Sequence, residues 1–240
     1  MKKISFIIIS LLIISGCSDI DSENIDTAGI CTDFRVSNSG SNAKIEATLT
    51  AGCGAMDGSY VDLSPGDTLI AKYLSNSYTL AKHTDALNKT TYIANLNNYT
   101  AGESVVIGLH RDDPNDIDAL NSYVTLPNAF SVTAPVANQS VTRGQSLTVN
   151  WNNTNTSDIK TVISCNSGHK SATYTRHLNN IAPSQAISFI HPTDLDFTPE
   201  HCQAYIDFSQ SNAGIADPAY ELGSKITASY KNRVYVNLNF

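Results

Sequence analysis

Residues 146 to 151 read Ser146-Leu147-Thr148-Val149-Asn150-Trp151, and polar and apolar side chains alternate strictly along them. Alternation with a period of two places Leu147, Val149 and Trp151 on one face of a β-strand. We expect that face to be buried. Trp151 is the only tryptophan of the chain, and an aromatic side chain of that size can anchor a hydrophobic core.

Strand-like segments of the same kind recur along the whole chain, with Pro, Gly, Asn and Asp between them. Short strands at this spacing are typical of antiparallel sandwiches or barrels. Helix signals are nearly absent, so the sequence predicts an all-β fold. The predicted strands are residues 44–50, 68–74, 78–82, 91–96, 104–110, 122–126, 130–133, 146–151, 159–165, 186–190, 202–208, 225–230 and 234–238.

Two similar endings divide these strands into two series. Residues 123–126 read Tyr-Val-Thr-Leu, and residues 235–238 read Tyr-Val-Asn-Leu, 112 positions later. That spacing suits one sandwich domain of about 100 residues. We therefore predict two antiparallel β-sandwich domains in tandem, over residues 31–128 and 129–240.

The start of the second series resembles a known domain type. Residues 130–135 (Phe-Ser-Val-Thr-Ala-Pro) and 144–151 (Gly-Gln-Ser-Leu-Thr-Val-Asn-Trp) are similar to the first two strands of bacterial immunoglobulin-like or fibronectin type III-like domains. Two features depart from a true immunoglobulin domain, because Cys165 falls on the third strand and no Tyr stands two residues before Cys202. The resemblance supports the architecture more than the family.

The N-terminus has the layout of an export signal, with Lys2 and Lys3 before an apolar run over residues 4–14. The run is shorter than the roughly 20 residues of a transmembrane helix. It ends in Ile14-Ser15-Gly16-Cys17, which resembles the lipobox of bacterial lipoproteins. The resemblance implies removal of residues 1–16 and acylation of Cys17 by diacylglycerol and a further fatty acid such as palmitate. A cleaved signal without lipid is the alternative.

The residues after Cys17 indicate the destination of the chain. By resemblance to lipoprotein sorting, Ser18 favours the outer membrane, and either a periplasmic or a surface-facing orientation is open. Residues 17–30 contain four acidic residues and no basic ones, so they are predicted to form a flexible, lipidated acidic tether. The whole chain also resembles small two-domain surface lipoproteins of Gram-negative bacteria, a group for which no activity follows.

Charge excludes some classes of partner. The chain has 22 acidic and 15 basic residues, a net charge of −7. Loss of Lys2 and Lys3 with the signal leaves 13 basic residues and a net charge of −9. Nucleic acid and anionic lipid headgroups require a basic surface, so we predict that neither is a partner.

Four cysteines remain besides Cys17. An even number in an exported chain indicates two disulfides. Three pairings are possible, and the economical one joins Cys31 to Cys53 and Cys165 to Cys202. A site of four thiolates around zinc is the alternative, although the CxxC pairs that such sites usually contain are absent.

Motifs of catalysis are missing from the sequence. There is no G-x-S-x-G elbow, and three S-x-x-K strings lack the companion motifs of penicillin-binding enzymes. We therefore name no catalytic residue and predict that the protein is not an enzyme.

Two loops are weak candidates for a metal site, and no other cofactor is expected. Calcium takes six to eight oxygen ligands, which an acidic loop can supply. A metal-dependent envelope hydrolase using either loop is the alternative to a binding function. The weak candidate ligands are Asp112, Asp113, Asp116 and Asp118 in the first loop and His191 and His201 around the second.

The sequence thus predicts a non-enzymatic outer-membrane lipoprotein that acts as a binding, adhesion or scaffolding module. Its partner would be an envelope protein, such as an outer-membrane barrel, or a glycan. Exposed aromatic side chains are one means of binding sugars, and four tyrosines are candidates for this role. They are Tyr123, Tyr174, Tyr205 and Tyr235.

Overall fold

The computed structural model describes residues 19–38, 40–54, 59–142, 146–152, 159–167, 170–178, 184–188 and 201–239. Within these ranges the chain forms β-strands and two short 3-10 helices, Ser22–Asn24 and Thr27–Gly29. The strands are β1 (Ile20–Asp21), β2 (Ile30–Asn38), β3 (Ala43–Ala51), β4 (Val61–Asp62), β5 (Thr68–Tyr73), β6 (Asn76–Thr79), β7 (Ala81–Thr84), β8 (Thr90–Leu96), β9 (Ser104–His110), β10 (Ala119–Thr125), β11 (Ser131–Ala134), β12 (Gln139–Thr142), β13 (Ser146–Asn152), β14 (Ile159–Ser167), β15 (Lys170–Leu178), β16 (Ser184–Ser188), β17 (His201–Ala213) and β18 (Lys225–Asn239).

One large sheet runs through both halves of the chain, in the order β15-β14-β17-β18-β2-β3-β8-β7. Strands adjacent in this order are antiparallel, except for β18 and β2, which are parallel. A ninth strand, β12, also pairs in parallel with β18. A second sheet, β10-β9-β5-β6, and a third, β11-β13-β16, contain antiparallel strands alone. The predicted all-β class with antiparallel sandwich sheets is confirmed.

The last strand, β18, joins the two halves. One of its edges pairs with β17 from Thr227 to Asn239. The other edge pairs first with β2, over Lys225–Tyr230, and then with the short parallel strand β12, over Val236–Asn239. The C-terminal part of the chain therefore adds a strand to the sheet of the N-terminal half. The division at residue 128 remains a prediction.

The first hydrophobic core contains residues from the large sheet and from the β10-β9-β5-β6 sheet. Phe34, Ile45, Ile107 and Leu109 are fully buried in it. Ile226 of β18 belongs to the same core and is 1% exposed. The fold of the N-terminal half thus depends on a residue near the end of the chain.

The second half buries the face that the alternation predicted. Leu147, Val149 and Trp151 are between 0 and 3% exposed. Phe208 and Val236 on the large sheet are fully buried as well. The prediction that this face is buried, Trp151 included, is confirmed.

The prediction of a flexible tether over residues 17–30 is wrong for residues 20–30. Ile20 pairs with Val61 in a short parallel ladder, and Ser22 and Thr27 are buried. The reason is a set of hydrogen bonds from a distant side chain, Arg111, to the carbonyl oxygens of this segment. Its acidic residues lie on its exposed side, so a high charge does not prevent packing here.

The predicted disulfide between Cys31 and Cys53 is present, with an S–S distance of 2.02 Å. The bond links Cys31 in β2 to Cys53 in the loop after β3. Cys165 and Cys202 lie on the adjacent strands β14 and β17, where the backbone of Cys165 is opposite Ala204. Their side chains are outside the described set, so their pairing stays a prediction, and the same holds for the lipidation of Cys17. None of the described segments forms a long apolar helix of the kind that spans a bilayer.

Candidate functional site

The outer face of the large sheet carries rows of polar side chains at the place where the two halves join. Successive residues of a strand alternate between the faces of a sheet. In β17 the inner residues Phe208 and Gln210 are buried, whereas Ser209 and Ser211 face outward. The register of the neighbouring strands then decides which side chains lie beside them.

Two rows define the candidate site. In the first row, Lys160 is paired with Ser209, and Ser209 is paired with Lys231. Adjacent strands are about 4.8 Å apart, so the two lysine backbones are about 10 Å apart, with the serine between them. The second row crosses four strands and contains Ser211, Ser229, Ser37 and Lys44.

Two adjoining depressions follow these rows, and we call them together the sheet groove. One has a volume of about 500 Å³ and the other about 460 Å³, and Ser37 and Lys231 line both. The first is lined by Arg35, Ser37, Glu46, Lys160, Val162, Asp207, Ser209, Ser211, Thr227, Ser229 and Lys231. The second is lined by Ser37, Asn38, Asn42, Ala43, Lys44, Asn95 and Lys231.

Several charges of the groove are neutralised locally. Arg35 donates from Nη2 to Asp33 Oδ2 at 2.5 Å, and this hydrogen bond raises the pKa of the guanidinium. Lys44 Nζ lies 3.1 Å from Glu46 Oε2. These pairs are partly exposed, so each contributes little to the stability of the fold.

Lys160 and Lys231 differ from these residues because neither has an ion-pair partner among the residues that the structure describes. Both are exposed. Their ammonium groups are therefore available to a ligand above Ser209.

Asn38 marks the end of β2 beside the groove, but its side chain belongs to the other face of the sheet. The residue is 2% exposed and follows the outward-facing Ser37, so its amide is buried on the inner face with Val36. Its Oδ1 accepts a hydrogen bond from the backbone N–H of Gly40 at 2.6 Å. The amide therefore helps to fix the turn after β2 and does not face the groove.

An aromatic pair lies on the same face of the sheet, two rows beyond the row that contains Ser209 and Lys231. Tyr205 and Tyr235 are directly opposite each other, with ring centroids 6.4 Å apart. The guanidinium of Arg233 is 4.1 Å from the centroid of the Tyr205 ring. It also donates to both carboxylate oxygens of Asp207, at 2.5 and 2.7 Å, which raises its pKa.

The tyrosines proposed from the sequence thus fall at different places. Tyr235 is 46% exposed and Tyr123 is 44% exposed, which confirms that both face away from the core. Tyr123 belongs to β10 in another sheet, so it is not beside the pair. The side chain of Tyr174 is outside the described set.

In the acidic loop, residues 112–118, three of the four aspartate carboxylates contact protein groups, two of them at Arg111. Asp116 Oδ2 is 2.5 Å from Arg111 Nη2, and Asp118 accepts from the backbone N–H of Arg111 at 2.8 Å. Asp113 accepts from Asn115, while Asp112 bonds through its backbone N–H to Asp67. Among the described residues no three His, Cys, Asp or Glu side chains are grouped as metal ligands would be. Calcium binding stays a prediction.

The second metal candidate lies largely outside the described residues. His191 lies outside the described residues, and His201 is described in its backbone alone, as the first residue of β17. A histidine site in this region also stays a prediction.

His110 is exposed at the end of β9, on the face opposite to the buried residues Val105, Ile107 and Leu109. Its Nδ1 lies 2.9 Å from Asp118 Oδ2. The hydrogen bond to that carboxylate, aided by its charge, raises the pKa of His110. The pKa of Asp118 is lowered, chiefly by the hydrogen bond from the backbone N–H of Arg111.

The sheet groove was not found from the sequence, although one signal was available. Strand alternation alone would place Lys160 outward on β14 and Lys231 outward on β18. The pairing order of β14, β17 and β18 is needed before the two lysines can be recognised as neighbours of one serine.

No protein-family model matches the chain, and none of the curated proteins matches it. Solved structures do match in fold comparison. One is the crystal structure of the FN1-FN3 domains of chicken CNTN1, with a TM-score of 0.32 and 12% sequence identity. The similarity covers 90% of this chain and 68% of that chain.

Proposed function

We propose that the protein is a non-catalytic binding module of the bacterial envelope, attached to the outer membrane through Cys17, and that it binds a glycan along the sheet groove. The observation that carries this proposal is the row of outward hydroxyls from Ser211 through Ser229 to Ser37, on three adjacent strands of one sheet. Hydroxyl, amide and charged groups on the rigid strands of a sheet can form hydrogen bonds with the many hydroxyls of a sugar chain.

The aromatic pair supports the same ligand class. Sugar rings have apolar C–H faces that pack on aromatic side chains, and Tyr carries both an apolar ring and a hydroxyl group. Tyr205 and Tyr235 lie on the same face of the sheet as the groove, beyond the row that contains Asp207 and Arg233. A chain of several sugar residues could contact both the groove and the pair.

The predicted lipid would hold this surface close to the membrane. Ser18 and Asp19 alone separate Cys17 from Ile20, the first residue of β1. Three residue steps span at most about 10 Å, and β1 is paired with β4 of the folded body. An acylated Cys17 would therefore place the body directly against the bilayer, where envelope polysaccharides are attached.

The binding test uses full-length protein in detergent micelles and polysaccharide prepared from the bacterial envelope. The variant Ser211→Trp obstructs the larger depression of the groove from an exposed strand position, where an aromatic residue is compatible with the sheet. Thr79→Trp on the exposed edge strand β6 is the matched control. We expect the first variant to lose binding and the second to keep it. Equal binding by both variants would place the ligand elsewhere.

The attachment test is independent of the ligand. Cells expressing the chain are grown with a labelled fatty acid, and the variant Cys17→Ser is compared with the original. We expect the label and the membrane association to depend on Cys17. A native protein that carries no lipid at this position would overturn the proposed location.

A further inference from the structure

We infer that the ligand of the sheet groove is anionic, a polysaccharide that bears phosphate or carboxylate groups, with Lys160 and Lys231 as its ionic contacts. This inference rests on the proposed function and specifies the ligand class. It depends on the sign of the local charge and on the arrangement of the two lysines.

The local charge is opposite to that of the whole chain. The protein has a net charge of −7, yet the side chains that line the groove include four basic residues and two acidic ones. Ion pairs engage Lys44 with Glu46, Arg35 with Asp33 and Asp207 with Arg233. The lining charges without such a partner among the described residues are those of Lys160 and Lys231. A basic site within an acidic protein favours anions at that site and repels them from the rest of the surface.

Lys160 and Lys231 supply this charge from rigid positions. Each is part of a strand that is paired with β17, and Ser209 lies between them. The side chain of Ser209 donates to the backbone carbonyl of Lys160 at 3.4 Å, so the serine adds little bulk above the sheet. An anionic group over Ser209 would be within reach of both ammonium groups.

The experiment measures binding of full-length protein in detergent to three defined polymers. Polygalacturonate carries carboxylates, polyphosphate carries phosphates, and dextran is neutral. We expect at least one polyanion to bind more tightly than dextran, and we expect binding to weaken as salt is raised from about 0.05 to about 0.3 M. The preferred polyanion distinguishes carboxylate from phosphate.

The decisive comparison uses variants in which each substitution replaces a lysine by glutamine and so removes one positive charge. The double variant Lys160→Gln/Lys231→Gln should bind the preferred polyanion about tenfold more weakly, as expected for two partly exposed ionic contacts. Lys72→Gln is the control, since Lys72 is an exposed lysine on β5 in another sheet. It should bind as the original does.

Four outcomes would overturn the inference. They are unchanged binding by the double variant, equal weakening by Lys72→Gln, dextran binding as tight as that of the polyanions, and no binding of either polyanion. If envelope polysaccharide still binds in a manner that Ser211→Trp abolishes, the proposed function stands and the anionic ligand class is wrong. If envelope polysaccharide does not bind, both fail.

Discussion

Arg111 donates a hydrogen bond from Nη2 to the backbone carbonyl oxygen of Ser22 at 2.6 Å, across 89 positions of the sequence. The same guanidinium donates to Asp67 Oδ2 at 2.9 Å and to Thr27 Oγ1 at 3.1 Å, and Asp116 is paired with it. The Arg111 side chain is 1% exposed. This buried cation holds the segment after the predicted lipid site against the folded body.

Replacement of Arg111 by Met should therefore be strongly destabilising. Removal of one partner of a buried ion pair typically costs about 3 to 5 kcal/mol, because the remaining charges stay buried without compensation. Urea unfolding measures the loss, and hydrogen exchange should show that residues 20–30 lose protection. Arg35→Met is the control, and because Arg35 is exposed we expect a loss below about 1 kcal/mol. Similar losses for the two variants would contradict the role of Arg111.

The disulfide between Cys31 and Cys53 should stabilise the fold through the loop that it closes. The two residues are 22 positions apart, and closing a loop of that size is worth about 3 kcal/mol in the chain-entropy model. The double variant Cys31→Ser/Cys53→Ser should lose about that much in urea unfolding. Mass spectrometry of the native protein provides the check on the bond itself, and free thiols at both positions would rule it out.

Gly214 should not tolerate a side chain, because its backbone packs directly against β10 of the N-terminal half. A Cβ at this position would lie 2.1 Å from the backbone oxygen of Tyr123 and 2.7 Å from Val124 Cβ. Ile215 and Tyr123 are also joined by two backbone hydrogen bonds of 2.9 Å. We expect Gly214→Ala to cost at least about 2 kcal/mol, as an overpacked site does.

Gly54→Ala is the matched control, since no atom of the described residues, apart from its chain neighbours, lies within 4 Å of a Cβ at Gly54. Thermal unfolding compares the two variants. If Gly214→Ala is as stable as Gly54→Ala, the contact between the C-terminal part and β10 is wrong.

His110 should titrate above its ordinary pKa of 6.5, because its protonated ring bonds to Asp118. A raised pKa in the folded state means that this pair stabilises the fold fully below about pH 6.5 and that the contribution is lost as pH rises through the folded pKa. NMR titration of the His110 ring measures it. Asp118→Asn should return the pKa towards 6.5, whereas Asp112→Asn should lower it less, since Asp112 acts through space alone. An Asp118→Asn variant with an unchanged His110 titration would contradict the pairing.

Local patterns were sufficient for the parts of the structure that depend on one strand at a time. Strict alternation identified the buried face of Leu147, Val149 and Trp151. The cysteine count and separation identified the bond between Cys31 and Cys53. These features follow from the period of two in a strand and from the short reach of a disulfide.

Residues 20–30 show where local pattern fails. Their acidic composition indicates a flexible chain, because they offer little apolar surface to bury. Their order comes instead from the guanidinium of Arg111 and from the ladder with Val61. Neither partner can be inferred from the segment itself.

The amino-acid sequence by itself determined the class of the fold, the faces of its strands and one covalent link, because each of these depends on residue spacing within a segment. Tertiary structure alone decided that β18 joins β17 to β2, and so that Lys160, Ser209 and Lys231 lie in one row. Strand order is set by the summed packing of whole sheets, and alternation along a single strand carries no information about its neighbours.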